Sequence, residues 1–593
     1  MTASHLFFII ILILTLATLI ILHSHVSLNL TDYKSRITAQ AAAGGGGLVG
    51  SLRGFVMEGE GGSAGLWGQP AADSDKEREE GGGGSKGKDA AHNLSNMKPH
   101  RSGKKSSATL LCPTMTSPSD VKNQADMVYW EDLPNDHRPS NIVSPNKYVT
   151  FEPDHGGWNN IRMSMETMLA FAVATGRTLV IPPKKTMYLL GNDKDNKENN
   201  QLDFSDFFDL EAMAAETEGF NVMEMKDFLE LEGGKLLPFG EDGPVGDTPT
   251  KLPGGITDWS EVFRKKPLEE YLRTVGLHRK FDTVRSMIII PSDLSKSSPS
   301  DLSYLTDTLS TPSDWGKDSQ KYFSSPTSTR SSASDRFAEF RAGRSSYHVY
   351  DQTIHSAKMI HFAAGDGYRM LTHFYTMLFF EDPLMDRWTK RFVRDHVRYR
   401  DEMYCVAAKV VGRVREISRN NGDEGEYDSM HIRRGDFQYK TTRVDADVLY
   451  SNTKSHLKEG GTIYVATDER DKSFFNPLRE KGNYNLVFLD DFMSDEDVAN
   501  LNPNFYGMLD QLIATRGRNF YGTFFSTFTG YINRMRGYHD DLFDERNGQS
   551  NDGAIDSWYF APKDKEEEMS KYMPIRPPFY SREYPVAWRD IDE

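Results

Sequence analysis

The fold of this chain is decided by Ser429-Met430-His431-Ile432-Arg433-Arg434-Gly435-Asp436-Phe437. Apolar, strand-forming residues run straight into two arginines, a glycine and an acid. Ligands of α/β proteins bind in the crevice beyond the carboxyl ends of buried strands. A guanidinium fixed there is a planar fork of donors that suits the oxygens of a diphosphate. The plain alternative is a structural arginine paired with Asp436. The tripeptide Arg434-Gly435-Asp436 carries no adhesion meaning, because its arginine abuts a strand instead of standing on an exposed loop tip.

Around that stretch the last third is regular. Thr462-Ile463-Tyr464-Val465-Ala466-Thr467 reads as a second strand, and Asn485-Leu486-Val487-Phe488-Leu489 as a third. A helix follows from about Phe505 to Thr515, then a strand from Asn519 to Gly522, and Phe525-Ser526-Thr527-Phe528-Thr529-Gly530 opens another helix. Strands alternating with helices predict a parallel sheet covered on both faces. Ser526 and Thr527 stand where a helix begins after a strand, so hydroxyls and unpaired N–H groups can hold a phosphate there. A helix cap explains Ser526 equally well.

Further upstream, Tyr148-Val149-Thr150-Phe151 reads as a strand and Gly156-Gly157-Trp158-Asn159-Asn160 as a tight loop. Ile161 to Thr175 reads as a helix, and Arg177 to Pro183 as a strand with a proline stop. This is a βαβ unit whose glycines let the backbone approach a ligand. Gly240 to Arg344 is rich in Ser, Pro, Asp and Thr and reads as an insertion, with Met287 to Pro291 as one buried strand inside it. His361 to Phe380 carries an apolar, aromatic helix pattern, in which His373 reads as a packed histidine. Residues 144–400 and 401–593 are thus expected to be two Rossmann-like domains.

Composition narrows the class. At 593 residues two or three domains are expected, and the net charge of −16 argues against a general nucleic-acid binder. The two cysteines, Cys112 and Cys405, could form one disulfide but have no metal-type spacing. The acidic pairs Asp490-Asp491 and Asp540-Asp541 read as solvated loop, not as a metal site. Leu6 to Leu22 is an apolar run of 17 residues, at the lower limit for crossing a bilayer. With no clean cleavage site after it, residues 1–23 read as a signal anchor instead of a cleaved signal peptide. Residues 24–143, with glycine runs at 44–47 and 81–84, read as a flexible stem. Lys34 and Arg36 after the span favour a cytosolic head. The sequons at Asn29 and Asn93 favour a lumenal one.

The ordered set Gly-Gly-x-Asn-Asn (156–160), His-x-Arg-Arg-Gly-Asp-Phe (431–437), Tyr-Val-Ala-Thr-Asp (464–468), and Asp510 ahead of Gly-Thr-x-x-Ser-Thr-Phe (522–528) resembles the GDP-fucose protein O-fucosyltransferase family. It looks closest to the branch that fucosylates thrombospondin repeats. The resemblance implies a glycosyltransferase B fold, with GDP-fucose as donor substrate in the interdomain cleft and no metal or other cofactor. It implies that Arg433 grips the departing diphosphate, that Ser526, Thr527 and Phe528 hold phosphate and nucleotide, and that Asp510 contacts the nucleoside. Gly157, Asn159 and Asn160 would meet donor phosphates or acceptor, and His431 would support the strand end beside the donor. The branch's glutamate general base is missing: Gly156 stands at its position, so Asp154 or His155 is expected to act, or a dissociative mechanism needs no base. The expected partners are GDP-fucose, a glycoprotein or glycan acceptor and a membrane. The expected setting is a single-pass Golgi (or ER) protein with a lumenal head, since no ER-retention tetrapeptide closes the chain. Fucosylation of an oligosaccharide or polysaccharide is the first alternative. A catalytically silent glycan- or nucleotide-binding membrane protein is the second.

Overall fold

The structure is a computed structural model that describes residues 108–131, 137–188, 190, 201–236, 239–240, 243–244, 265–279, 286–306, 332–341, 344, 346–364, 370–435, 437–539, 557–560, 570–571, 583, 585–588 and 591–592. The expected anchor at 1–23, both sequons, Asp436 and the pair Asp540-Asp541 lie outside the described residues. Contacts divide the chain into Met1–His100 and Arg101–Glu593, and every described residue belongs to the second unit. Among the described residues no helix is long and apolar enough to cross a membrane.

The amino-terminal half contributes, in chain order, strand β1 (Tyr148–Phe151), helix α1 (Trp158–Thr175), β2 (Thr178–Ile181), β3 (Asn221–Glu224), β4 (Leu277–Arg279), β5 (Ser286–Ile290), β6 (Ser346–Val349), β7 (Met359–Phe362) and β8 (Leu378–Phe380). Five of them form a parallel sheet in the order β3-β2-β1-β7-β4, and β6-β5-β8 form a second parallel sheet. The chain therefore leaves β1 toward one edge and returns on its other side. That makes the carboxyl end of β1 a topological switch point. β1 is buried along its whole length, and all but one residue of α1 is buried, including the charged pair Arg162 and Glu166, so α1 is covered by protein on every side.

The carboxyl-terminal half continues with α2 (Asp401–Asn420), β9 (Asp428–Ile432), β10 (Thr462–Thr467), β11 (Asn485–Val487), α3 (Tyr506–Thr515), β12 (Phe520–Thr523), α4 (Thr527–Tyr538), β13 (Ser557–Phe560) and β14 (Ser570–Lys571). Its sheet runs β11-β10-β9-β12-β13-β14, parallel except for the last pair. Here the switch point falls between β9 and β12. Gly522 permits the close seating of α4 on this sheet, since a Cβ there would lie 2.1 Å from Thr529 Cγ2.

The α/β class with parallel sheets is as expected, and three local expectations are corrected. The stem does not extend to 143: the helix Pro118–Met127 is capped by Ser117 and packs on α2, and Cys112 is disulfide-bonded to Cys405 of α2. The stretch 240–344 is no mere insertion. It supplies β4 to the five-stranded sheet and the central strand β5 to the three-stranded one. The continuous helix expected across 361–380 is instead the end of β7, a single turn Phe374–Met377 and β8. A run apolar on all sides looks alike in a buried helix and a buried strand.

Candidate active site

At the carboxyl end of β9 the chain presents Arg433. Its backbone N–H donates to Thr523 Oγ1 at the end of β12 (2.9 Å), so the two strand ends flanking the switch point are tied together. The Arg433 guanidinium is only partly buried, and its Nη1 lies 3.1 Å from Asp468 Oδ2. Asp468 also accepts from the backbone N–H groups of Arg434 (2.6 Å) and Gly435 (3.0 Å). A Cβ at Gly435 would sit 2.5 Å from Asp468 Oδ2, which is why a glycine follows the arginines. Asp468, at the end of β10, is thus a partner that orients the Arg433 guanidinium.

Beside it, β12 passes into α4 through Phe525, whose φ of 60° lies in the left-handed region. A bulky residue there stores strain of about 1–3 kcal/mol, and such strain gathers at ligand sites. Ser526 is the N-cap, yet its side chain makes no capping bond to the helix. A side-chain cap therefore does not explain Ser526, which stands with the first N–H groups of α4 just beyond the end of β12. Phe528 stacks on His431, ring centroids 4.4 Å apart. His431 Nδ1 lies 2.7 Å from Thr529 Oγ1, and burial, with Arg433 adding and Asp468 opposing, pushes its pKa down to about 3. It is a neutral support for the strand end.

The amino-terminal half contributes the start of α1. Trp158, Asn159 and Asn160 belong to the helix and not to a loop, and Gly157 is its N-cap. Trp158 drives this early start by stacking on Phe207 (3.7 Å) and donating its indole N–H to Tyr399 Oη (3.2 Å). Asn160 Oδ1 accepts from the Thr527 hydroxyl (2.9 Å), and Asn159 Oδ1 accepts from Gln511 Nε2 (3.0 Å). The two helix starts are thereby joined side chain to side chain. The start of α1 is thus bonded to the start of α4, which follows the strand end that also receives the Arg433 N–H.

Asp154 and His155, ahead of Gly157, differ sharply. Asp154 is buried and its Oδ1 accepts from Gly156 N–H at 2.7 Å, whereas His155 is exposed. Just upstream, Glu152 receives Arg273 through Nε (2.7 Å) and Nη2 (2.6 Å), His361 Nε2 (3.0 Å) and the Ala364 N–H (2.9 Å). Burial alone would raise its carboxyl, but His361 and Arg273 outweigh it and hold it down at about 2. Asp510, on α3, accepts from Tyr464 Oη at 2.6 Å. Burial pushes its pKa up to about 7; the Tyr464 bond opposes, and the charge of Asp490 adds. Asp490 is largely exposed and 2.9 Å from Lys472 Nζ, while Asp491 accepts from Phe488 N–H, so this acidic pair has local structural work.

Arg433, His431, Phe528 and Asn159 are linked by these contacts, as are Asn160 and Thr527, and Asp510 adjoins them through its neighbour Gln511; Asp154 and His155 stand in the turn ahead of Gly157, and Ser526 at the start of α4. Four participants escaped the sequence reading: Asp468, Gln511, Tyr399 and Glu152. Asp468 ends a motif already singled out and Gln511 follows Asp510 directly, so position alone could have flagged both. Nothing in the sequence connects Tyr399 to Trp158.

Residues 148–539 match the family described as GDP-fucose protein O-fucosyltransferase. Among solved structures, POFUT1 in complex with GDP shares 12% identity with a TM-score of 0.30, covering 71% of this chain and 99% of that one. Arabidopsis thaliana FUT1, as a mutant in complex with GDP, shares 11% identity with a TM-score of 0.30, over 74% of this chain and 76% of that one. The fucosyltransferase NodZ from Bradyrhizobium shares 12% identity with a TM-score of 0.27, over 65% and 92%. No curated protein matches the chain.

Proposed function

The chain belongs to the GDP-fucose protein O-fucosyltransferase family, and from that premise we propose that it is an inverting glycosyltransferase moving fucose from GDP-fucose to a Ser or Thr hydroxyl of a protein. Use of GDP-fucose follows from the family; the protein acceptor is the proposal's finer step. What supports it is the bond between the starts of α1 and α4 through Asn160 and Thr527, beside the strand end where the Arg433 N–H is held by Thr523. We read the two halves, 144–400 and 401–593, as two Rossmann-like domains facing a cleft, with the donor between them.

In the reaction the bond between fucose C1 and the β-phosphate oxygen breaks, and its electron pair leaves with GDP. Arg433, aimed by Asp468, takes up the growing negative charge together with the N–H groups of α4 and the Ser526 and Thr527 hydroxyls. Electrostatic stabilisation of this kind is usually the largest single contribution to rate. Asp510, able to ionise near neutrality, accepts N–H donors of the guanine base. The acceptor hydroxyl attacks C1 from the opposite face, and its proton passes to His155, which stands exposed at the turn. Asp154, buried with one oxygen on Gly156 N–H, shapes that turn. No divalent metal is required, because guanidinium and helix ends supply the positive charge. The Cys112–Cys405 disulfide supports work in an oxidising lumen, in keeping with a Golgi or ER setting.

The test is incubation of the full chain with labelled GDP-fucose and a panel of peptide, folded-repeat and glycan acceptors, with EDTA in one arm. Label on Ser or Thr of a protein, undiminished by EDTA, is the expected result. Label only on glycans would replace the acceptor class. No transfer and no GDP release with any acceptor would overturn the enzyme reading.

A further inference from the structure

Asn159 is an amide whose two ends differ in chemistry but little in shape, so which end faces an anion must be fixed by its surroundings. A chain of four hydrogen bonds does this with a polarity that admits one solution. The Trp158 indole N–H can only donate, and it donates to Tyr399 Oη (3.2 Å). Tyr399 then has its single proton left to give, and gives it to Gln511 Oε1 (3.1 Å). With Oε1 so occupied, the other end of Gln511 is Nε2, which donates to Asn159 Oδ1 (3.0 Å) and to the Phe528 carbonyl (3.3 Å). A carbonyl can only accept, so the relay is pinned at both ends, by an indole at one and a backbone oxygen at the other. Tyr399 is 1% exposed and Gln511 fully buried, so water does not compete for these bonds. Asn159 is 7% exposed, and with Oδ1 committed what it can offer a ligand is its Nδ2 amide.

We propose that Gln511 and Tyr399 are positioning residues which hold Asn159 with its N–H donors, not its oxygen, toward the diphosphate of the nucleotide sugar. This rests on the reading above in which Asn159 meets donor phosphates. Asn160 is held in the same sense, since its Oδ1 takes the Thr527 hydroxyl. Both asparagines at the start of α1 thus spend their oxygens on the carboxyl-terminal half and keep their donors for the anion. Were the Asn159 amide reversed, a carbonyl dipole would point its negative end at phosphate.

The test measures GDP binding by calorimetry on the full chain, with the unfolding midpoint of each variant as a control for folding. Asn159→Ala is expected to weaken GDP about tenfold, the loss of one hydrogen bond to a charged acceptor. Gln511→Met, similar in length but without a donor, leaves Asn159 unpinned and is expected to weaken GDP several-fold to about tenfold, by that same loss. In the double variant Gln511→Met should add nothing to Asn159→Ala. Gln511→Glu gives a second reading that depends on pH, its unfolding midpoint followed across the same pH range. Protonated, its carboxyl still donates to Asn159; ionised, it cannot, so GDP should bind well at acid pH and progressively worse as pH rises, relative to wild type. In the Asn159→Ala background that extra pH dependence should vanish, whereas simple charge repulsion of GDP would persist. Normal affinity in Gln511→Met alongside a loss in Asn159→Ala would overturn the relay. So would additive losses in the double variant, or a pH dependence of Gln511→Glu that survives removal of Asn159. Normal affinity in Asn159→Ala itself would instead overturn the placement of Asn159 at the diphosphate.

Discussion

Glu166→Gln isolates a group of buried charges that joins the two halves about two turns beyond the helix starts. Glu166 is 1% exposed, and it accepts from Arg162 Nε (2.8 Å), Arg534 Nη1 (2.5 Å) and Tyr531 Oη (2.9 Å). Arg534, fully buried on α4, also donates through Nε to Glu583 (2.6 Å), and Arg162 lies between the rings of Tyr399 and Tyr531, 4.6 and 4.4 Å from their centroids. Burial alone would raise the Glu166 carboxyl, but the two guanidiniums outweigh it and hold it below the ordinary range. Glutamine keeps the shape and removes the charge. At an effective dielectric of about 20, each ion pair with centres about 4 Å apart is worth about 4 kcal/mol. Two such pairs are lost, offset in part by the acceptor that glutamine retains. Breaking a buried ion pair at one end typically costs about 3–5 kcal/mol, because the partner stays buried and unpaired. That corresponds to a folded-to-unfolded ratio lower by about 150- to 5,000-fold. Urea unfolding followed by tryptophan fluorescence reads it as a drop in midpoint. The exposed pair Lys226–Glu230, 4.0 Å apart with side chains 65% and 58% exposed, is the control. Glu230→Gln should cost less than about 0.5 kcal/mol. A Glu166→Gln protein within about 1 kcal/mol of wild type would refute the argument that this cluster is dry and held by charge.

Asp510, raised from 3.8 to about 7, should make GDP affinity fall about tenfold between pH 8 and pH 6, because guanine donors need the ionised carboxylate. Asp510→Asn should flatten that profile. A carboxyl raised on folding lowers stability as pH climbs from its unfolded to its folded pKa, so the same variant should also unfold at higher urea above pH 7. Opening the Cys112–Cys405 disulfide with Cys112→Ser and Cys405→Ser releases a closure of 293 residues and should cost about 2–5 kcal/mol in a reversible unfolding titration.

Strand ends were the most legible part of this chain, and helix starts and long-range partners the least. β9, β10 and β12 announce themselves as short buried runs that stop at Arg433, Asp468 and the Phe-Ser-Thr turn, since a parallel strand must be apolar until it leaves the sheet. α1 begins three residues before the sequence suggests, because Trp158 and the two asparagines are poor helix formers that Phe207, Tyr399 and Thr527 hold in place. Tyr399 bonds to partners 241 and 112 residues away, and Glu583 reaches Arg534 from a tail with no periodicity. Contacts of that kind leave no local signature. Inside the loop-like stretch 240–344, β5 was legible as the apolar run from Met287, whereas β4 was lost because Leu277-His278-Arg279 holds a single apolar residue.

In the proposed mechanism Arg433 stabilises the departing GDP. Release of GDP from GDP-fucose, followed with acceptor present for wild type and Arg433→Lys side by side, tests it most directly. Lysine keeps the charge but loses the fork that spans two phosphate oxygens while lying against Asp468. Loss of a preorganised donor at a developing anion predicts a rate lower by about 10²–10³-fold with an unchanged unfolding midpoint. A variant that releases GDP at the wild-type rate would rule out this role for the Arg433 guanidinium.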